Sequence, residues 1–174
     1  MAHFGSGVEY GLHCLLWLVE PLSTEPASSR ELADLQGVSP SFLAKIFPKL
    51  EKAGLVVGSE GIKGGYRLAR PADRITILDV VDAIEGKKAL FECQEIRGKC
   101  AVFGAAPPTW STRGVCAIHS VMISAEQRMR EELGKTTLAD IANAVGAKAP
   151  AGFAAEVRGW LGDRLDMRSK SRST

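Results

Sequence analysis

Residues 28–54 read SSRELADLQGVSPSFLAKIFPKLEKAG, and the caps and breakers in that stretch decide the fold. Ser28-Ser-Arg-Glu31 is a capping box: the Ser28 hydroxyl and the Glu31 carboxylate satisfy backbone donors left free at a helix start. Leu32, Ala33 and Leu35 carry the apolar face onward and Gly37 closes the helix. Ser39 then caps a second helix with Pro40 at its first position, where a missing N–H costs nothing. Leu43, Ile46, Phe47 and Leu50 line the inner face of this helix up to Gly54. Pro48 lies inside it and predicts a bend of the last turn. Helix, three-residue turn, helix is a helix-turn-helix layout.

The residues that follow, Leu55 to Ala69, predict two short strands joined by a Gly-rich turn around Gly61 to Gly65, a small β-wing. Between Ser28 and Arg74 stand eight basic residues against five acidic ones, a local excess larger than the whole chain's net charge of +2. Any nucleic-acid surface must therefore come from local placement of charge. Lys and Arg on the second helix and wing suit phosphates, and glycines at the wing tip let backbone approach a groove. The plain alternative is a solvated charged surface on a winged domain that binds protein.

Upstream, Val8 to Val19 predicts a buried amphipathic helix on the spacing of Tyr10, Cys14, Trp17 and Leu18, ended by Pro21. Glu9 and His13 sit four apart and share one face, the arrangement of either a surface pair or two metal ligands. Downstream, Thr76-Ile-Leu-Asp79 is another capping box, opening a helix from Ile77 to Glu85 that Gly86 terminates. Beyond Cys116, the residues Ile118, Val121, Met122, Ala125, Met129 and Leu133 form a long stripe at helical steps. A helix of that length after a small winged domain predicts packing against its own copy. Thr137-Leu-Ala-Asp140 caps a short helix, and Lys148 to Gly152 is a linker. Phe153, Val157, Trp160, Leu161 and Leu165 mark a final amphipathic helix, followed from Arg168 by a basic, Ser-rich tail expected to be disordered.

Between the two halves lies a Pro- and Gly-containing loop with three of the four cysteines: Cys93, Cys100 and Cys116, with His119 close behind. A chain of 174 residues has enough core to fold without disulfides. With no leader peptide or membrane-spanning run, a cytoplasmic setting is expected, where structural disulfides are rare. Metal or cluster ligation by the loop thiols, or three unrelated thiols, are the two readings. Further alternatives are a metal-free thiol–disulfide switch of Cys93, Cys100 and Cys116, a structural zinc, or an enzyme using Cys116 and His119 as nucleophile and base. The last lacks any oxyanion or substrate pocket in the sequence.

Taken together, the helix-turn-helix, the wing Gly64-Gly-Tyr-Arg-Leu-Ala-Arg70, the segment Ile75 to Ile84 and the cysteine loop resemble the Rrf2 family of dimeric bacterial transcription regulators. The resemblance covers about Gly5 to Ala142. In detail, Gly7-Val-Glu-Tyr-Gly-Leu-His-Cys14, Val38 to Lys45 and Cys93-Gln-Glu-Ile-Arg97 are most similar to the RsrR-type redox regulators of that family. The resemblance implies a [2Fe–2S] cluster held by Glu9 and His13 of one subunit and by Cys93 and Cys116 of its partner. It also leaves a three-cysteine alternative that adds Cys100, with His119 or Glu9 as the fourth ligand. Two non-thiolate ligands would raise the cluster's reduction potential, as histidine does in Rieske centres.

The expected fold is mainly α with a small β-wing: a winged helix-turn-helix over residues 1–86, a cluster-binding loop over 87–116, a dimerisation helix with a short following helix over 117–146, and a C-terminal helix and tail over 147–174. The expected function is a homodimeric repressor, not an enzyme, that binds a pseudo-palindromic double-stranded DNA operator under control of an iron–sulfur cluster. Ser39, Ser41, Phe42 and Lys45 are the groove-contact candidates. Lys49, Lys63, Arg67 and Arg70 are the phosphate or minor-groove candidates.

Overall fold

The computed structural model describes residues 3–20, 26–61 and 64–170. In chain order its elements are α1 (Ser6–Leu16), α2 (Ser29–Gln36), α3 (Pro40–Lys52), β1 (Val56–Ser59), β2 (Gly65–Leu68), α4 (Ile77–Glu85), α5 (Thr109–Thr112), α6 (Ala117–Lys135), α7 (Leu138–Gly146) and α8 (Phe153–Lys170). The chain forms two compact units, Met1–Gly86 with Leu133–Thr174, and Lys87–Glu132.

In the first unit the local signals act as their chemistry requires. At α2 the Glu31 N–H donates to Ser28 Oγ at 3.2 Å while the Ser28 N–H donates to Glu31 Oε2 at 2.7 Å. Gly37 ends α2 in the left-handed region at φ 70°, a conformation that costs glycine nothing. Reciprocal capping boxes also open α4 at Thr76 and α7 at Thr137. Ser39 is the N-cap of α3, but its hydroxyl does not cap. It lies 2.9 Å from Ser41 Oγ instead. Helix α3 runs through Pro48 without interruption.

The core is built where the faces of α1 to α4 meet, and Leu15, Leu32, Leu43, Phe47, Leu50 and Ile75 are fully buried in it. Helix α1 ends at Leu16, short of the expected Val19, and the chain leaves through the turn bonds Leu18 N–H to Leu15 O and Val19 N–H to Leu16 O. Pro21 lies outside the described residues. The buried stripe of α1 is Gly7, Val8, Gly11, Cys14 and Leu15, rotated from the Tyr10, Cys14, Trp17, Leu18 spacing. Close approach explains the rotation: a Cβ on Gly11 would stand 2.6 Å from Ile84 Cδ1, so the two glycines let α1 lie against α4. Cys14 is completely buried, donates to the Leu32 carbonyl at 3.8 Å, and its thiol is pushed up to about 12 by burial.

The wing is an antiparallel pair with Val56 opposite Leu68 and Ser59 opposite Gly65. Ala27 bridges Tyr66 as a third edge, and its backbone comes so near Gly65 that a Cβ there would stand 2.6 Å from it. The segment around Thr136 is clipped to the winged domain by Ile77 N–H to Thr136 O and Leu138 N–H to Ile75 O, both 2.9 Å.

The C-terminal segment differs from its expected course. Arg168, read from composition as the start of a disordered tail, is still inside α8. Val157 and Leu161 of α8 are buried, and Trp17 and Phe153 pair with ring centroids 6.2 Å apart. Arg164 then pairs with Asp34 at 2.8 Å, and Arg168 reaches Glu31 at 3.2 Å and the Gly64 carbonyl at 3.0 Å. Partners on α2 and the wing outweigh a local composition that favours disorder. Residues 171–174 of that expected tail lie outside the described residues.

Candidate metal centre and nucleic-acid surface

On the first unit, one turn of α1 sets Glu9 and His13 side by side and both are exposed. They line a cavity of about 570 Å³ whose other walls include Phe4, Val8, Leu12, Leu16, Leu138 and Ile141. The carboxylate and the imidazole thus stand at the solvent-facing mouth of a cavity with mostly apolar walls.

On the second unit the two ends of the cysteine loop are drawn together by Arg97. Its guanidinium forks onto Glu95, Nε to Oε1 at 2.6 Å and Nη2 to Oε2 at 2.8 Å. The same group donates to the carbonyls of Gly114 at 2.9 Å, Thr112 at 3.2 Å and, at the limit of a hydrogen bond, Arg113 at 3.5 Å. Its positive charge acts on both Cys116 and Cys93. Glu95 stands at φ 46°, the one non-glycine residue at positive φ among those described, and the arginine fork holds its carboxyl below the usual carboxylate range.

Cys116 sits where α6 begins, and the Ser120 N–H donates to its carbonyl at 2.8 Å. Backbone N–H groups of His119 and Ile118 point at its sulfur, and with the Arg97 charge they hold the thiol below its ordinary value. His119 meets Cys116 through its backbone, while its imidazole tilts against Phe91 with ring centroids 5.9 Å apart. Cys100 is exposed between two short 3-10 turns, Arg97–Lys99 and Ala101–Phe103.

The donor set suits an iron–sulfur cluster in kind: two thiols in one cationic field, one already biased toward thiolate, and an imidazole with a carboxylate on a helix face. Among the described residues no three His, Cys, Asp or Glu side chains of one chain gather into a metal-holding group. Arg97 was absent from the sequence-based candidates. Its only signal was its place within Cys93-Gln-Glu-Ile-Arg97, which the resemblance matched without giving the arginine a role.

All the described nucleic-acid candidates are exposed, and several also have partners within the chain. Ser39, Ser41 and Lys45 are exposed at the front of α3, with Ser41 and Lys45 one turn apart. Phe42 is 37% exposed, and its ring meets Tyr10 edge-on at 5.5 Å, which fixes it to α1. Lys49 is engaged elsewhere: its ammonium donates to the Ile84 carbonyl at 2.8 Å, closing the C-terminal turn of α4. Arg70 pairs with Asp79, the capping residue of α4, at 2.9 Å. Arg67 is exposed on β2, and Lys63 lies outside the described residues.

A family model described as Rrf2, iron-dependent transcriptional regulator, matches residues 4–144. Protein rrf2 of Nitratidesulfovibrio vulgaris is 33% identical over 132 residues, covering 76% of this chain and 81% of that protein. The structure of CymR, the global cysteine regulator of B. subtilis, superposes with a TM-score of 0.63 at 26% identity, covering 83% of this chain and 98% of that one. T. potens IscR gives a TM-score of 0.62 at 23% identity, covering 87% and 95%, a likeness of fold. Helix α8 lies beyond the residues matched by the family model. Among the described residues no helix is long and apolar enough to cross a membrane.

Proposed function

The chain belongs to the Rrf2 family of transcription regulators, and on that premise we propose that it is a homodimeric repressor whose operator binding is set by an iron–sulfur cluster, most simply a [2Fe–2S] cluster. Glu9 and His13 of one subunit and Cys93 and Cys116 of the partner subunit would hold it. The observation that carries the reading is the Arg97 fork, which donates to Glu95, two residues after Cys93, and to the carbonyls of Thr112 and Gly114, just before Cys116. When bound, the cluster supplies one-electron redox chemistry at a potential raised by its two non-thiolate ligands. The chain's own part is to present two thiols from a loop and an imidazole with a carboxylate from α1, the helix packed against the DNA-reading α3. A shift of α1 of small size alters the spacing of two recognition helices, and a few kcal/mol of differential affinity moves operator occupancy.

Protein purified without oxygen is expected to be brown, with iron and sulfide in equal amounts and a paramagnetic signal on one-electron reduction. A colourless protein holding zinc, or no metal after anaerobic reconstitution, overturns the cluster reading. Likeness to CymR and the reactive setting of Cys116 favour a second reading, a thiol–disulfide switch on the same loop. That reading requires operator affinity to change on oxidation in metal-free protein.

The DNA-reading face is taken to be the front of α3 with the wing. Lys45→Ala and Arg67→Ala are each expected to weaken binding to a random-sequence 30-base-pair duplex and to lower the salt slope by about one unit for each phosphate that is no longer neutralised. Unchanged slopes for both substitutions remove this face as the reading surface.

A further inference from the structure

We propose that Arg97 is the positioning residue of the cysteine loop: its guanidinium fork ties the Cys93 end of the loop to the Cys116 end, so that the two thiols are presented as a pair. The inference rests on the reading that Cys93 and Cys116 act together. It adds the device that brings them together in the absence of any bound group.

Three observations carry it. Cys93 and Cys116 are 23 residues apart in sequence, and the intervening chain contains only short turns and the four-residue α5, too little regular structure to fix its own ends. Arg97, four residues after Cys93, spends its donors on both sides of the gap, on Glu95 near one thiol and on the carbonyls of Thr112 and Gly114 just before the other. The Glu95 backbone, at φ 46°, is held in a region non-glycine residues rarely occupy, which turns its carboxylate into the fork. Nε and one Nη2 proton take the carboxylate and the second Nη2 proton is shared between the Thr112 and Gly114 carbonyls, whereas a lysine ammonium in its place supplies the charge without the fork. The role is therefore geometric: Arg97 pre-arranges donors before a ligand arrives.

The test uses a probe that needs two neighbouring thiols and no iron. Phenylarsine oxide condenses with two thiols, forming two As–S bonds and releasing one water, with no change of oxidation state. It is applied to the reduced, metal-free full-length chain carrying Cys100→Ala, so that Cys93 and Cys116 are the accessible pair while Cys14 stays buried. One equivalent per chain is expected to bind, and Arg97→Gln and Arg97→Lys are each expected to weaken capture by about tenfold or more, since both lose the pre-arranged fork. Equal loss in Arg97→Lys separates the fork from its charge. Should either variant fold poorly, Glu95→Gln, which keeps shape and removes one partner of the fork, is expected to weaken capture by a smaller factor.

Capture undiminished in Arg97→Gln and Glu95→Gln overturns the proposal, as does absence of capture by the parent chain. Failure of the cluster reading is separable: it shows as a parent protein that takes up no iron and sulfide, while arsenical capture still depends on Arg97.

Discussion

Alanine at His13, Cys93 or Cys116 is expected to abolish the cluster or reduce its iron content to about a tenth or less, whereas Cys100→Ala and His119→Ala leave it largely intact. The magnitude follows from ligand chemistry: loss of a group that merely orients a ligand already costs about 10–100-fold in metal affinity, and loss of the ligand itself costs at least as much. The pattern follows from where the side chains lie. Cys93 and Cys116 share the field of Arg97, while Cys100 stands exposed between two turns. His119 serves Cys116 with a backbone N–H that alanine retains, and its imidazole is occupied against Phe91. Glu9→Ala is expected to be milder than His13→Ala, because water can replace a single carboxylate oxygen at the mouth of the α1 cavity. Absorption and paramagnetic resonance spectra of anaerobically reconstituted variants decide the matter. A normal cluster in His13→Ala together with its loss in Cys100→Ala would transfer the assignment to the three-cysteine set.

The parts legible in the sequence were those fixed by neighbours a few residues away. Ser28 with Glu31, Thr76 with Asp79 and Thr137 with Asp140 each form a reciprocal box, and Gly37 and Gly86 close their helices at positive φ. Such signals are local, so they survive without knowledge of the fold. What was misread depends on distant residues. The buried face of α1 is rotated because Ile84, some seventy residues on, packs against Gly11, and apolar spacing within α1 alone cannot anticipate that. The hydrogen bond from Lys49 to the Ile84 carbonyl at the end of α4 is likewise invisible from the sequence of α3 alone. Arg168 looks like the start of a polar tail until Glu31 and Gly64 are within reach. For the site the same division holds. Glu9 and His13 are related by one helical turn, but the role of Arg97 depends on carbonyls fifteen to seventeen residues away.

Lysine at both Val121 and Ala125 is expected to convert the protein to monomers at micromolar concentration and to weaken duplex binding by about 100-fold or more, since two linked recognition helices gain an effective-concentration advantage of that order. Helix α6 has 19 residues and none of them is buried within one chain. Ile118 is 64% exposed and Val121 66%, on the stripe continued by Ala125 and Met129. Apolar side chains repeated along one helix face at that exposure call for a cover, and in a dimeric regulator the simplest cover is the same face of a second copy. Val121 and Ala125 are better sites for charge than the half-buried Met122 or Met129. An exposed position leaves the folded protomer undisturbed, so a loss of assembly is not confused with a loss of folding. Both substitutions also stand a full turn or more from Cys116, which keeps the thiol pair available as a control: arsenical capture should persist while sedimentation reports monomers. A doubly substituted protein that remains a dimer and binds duplex as tightly as the parent would place the interface away from α6. The recognition helices would then need another frame to hold them one DNA turn, about 34 Å, apart.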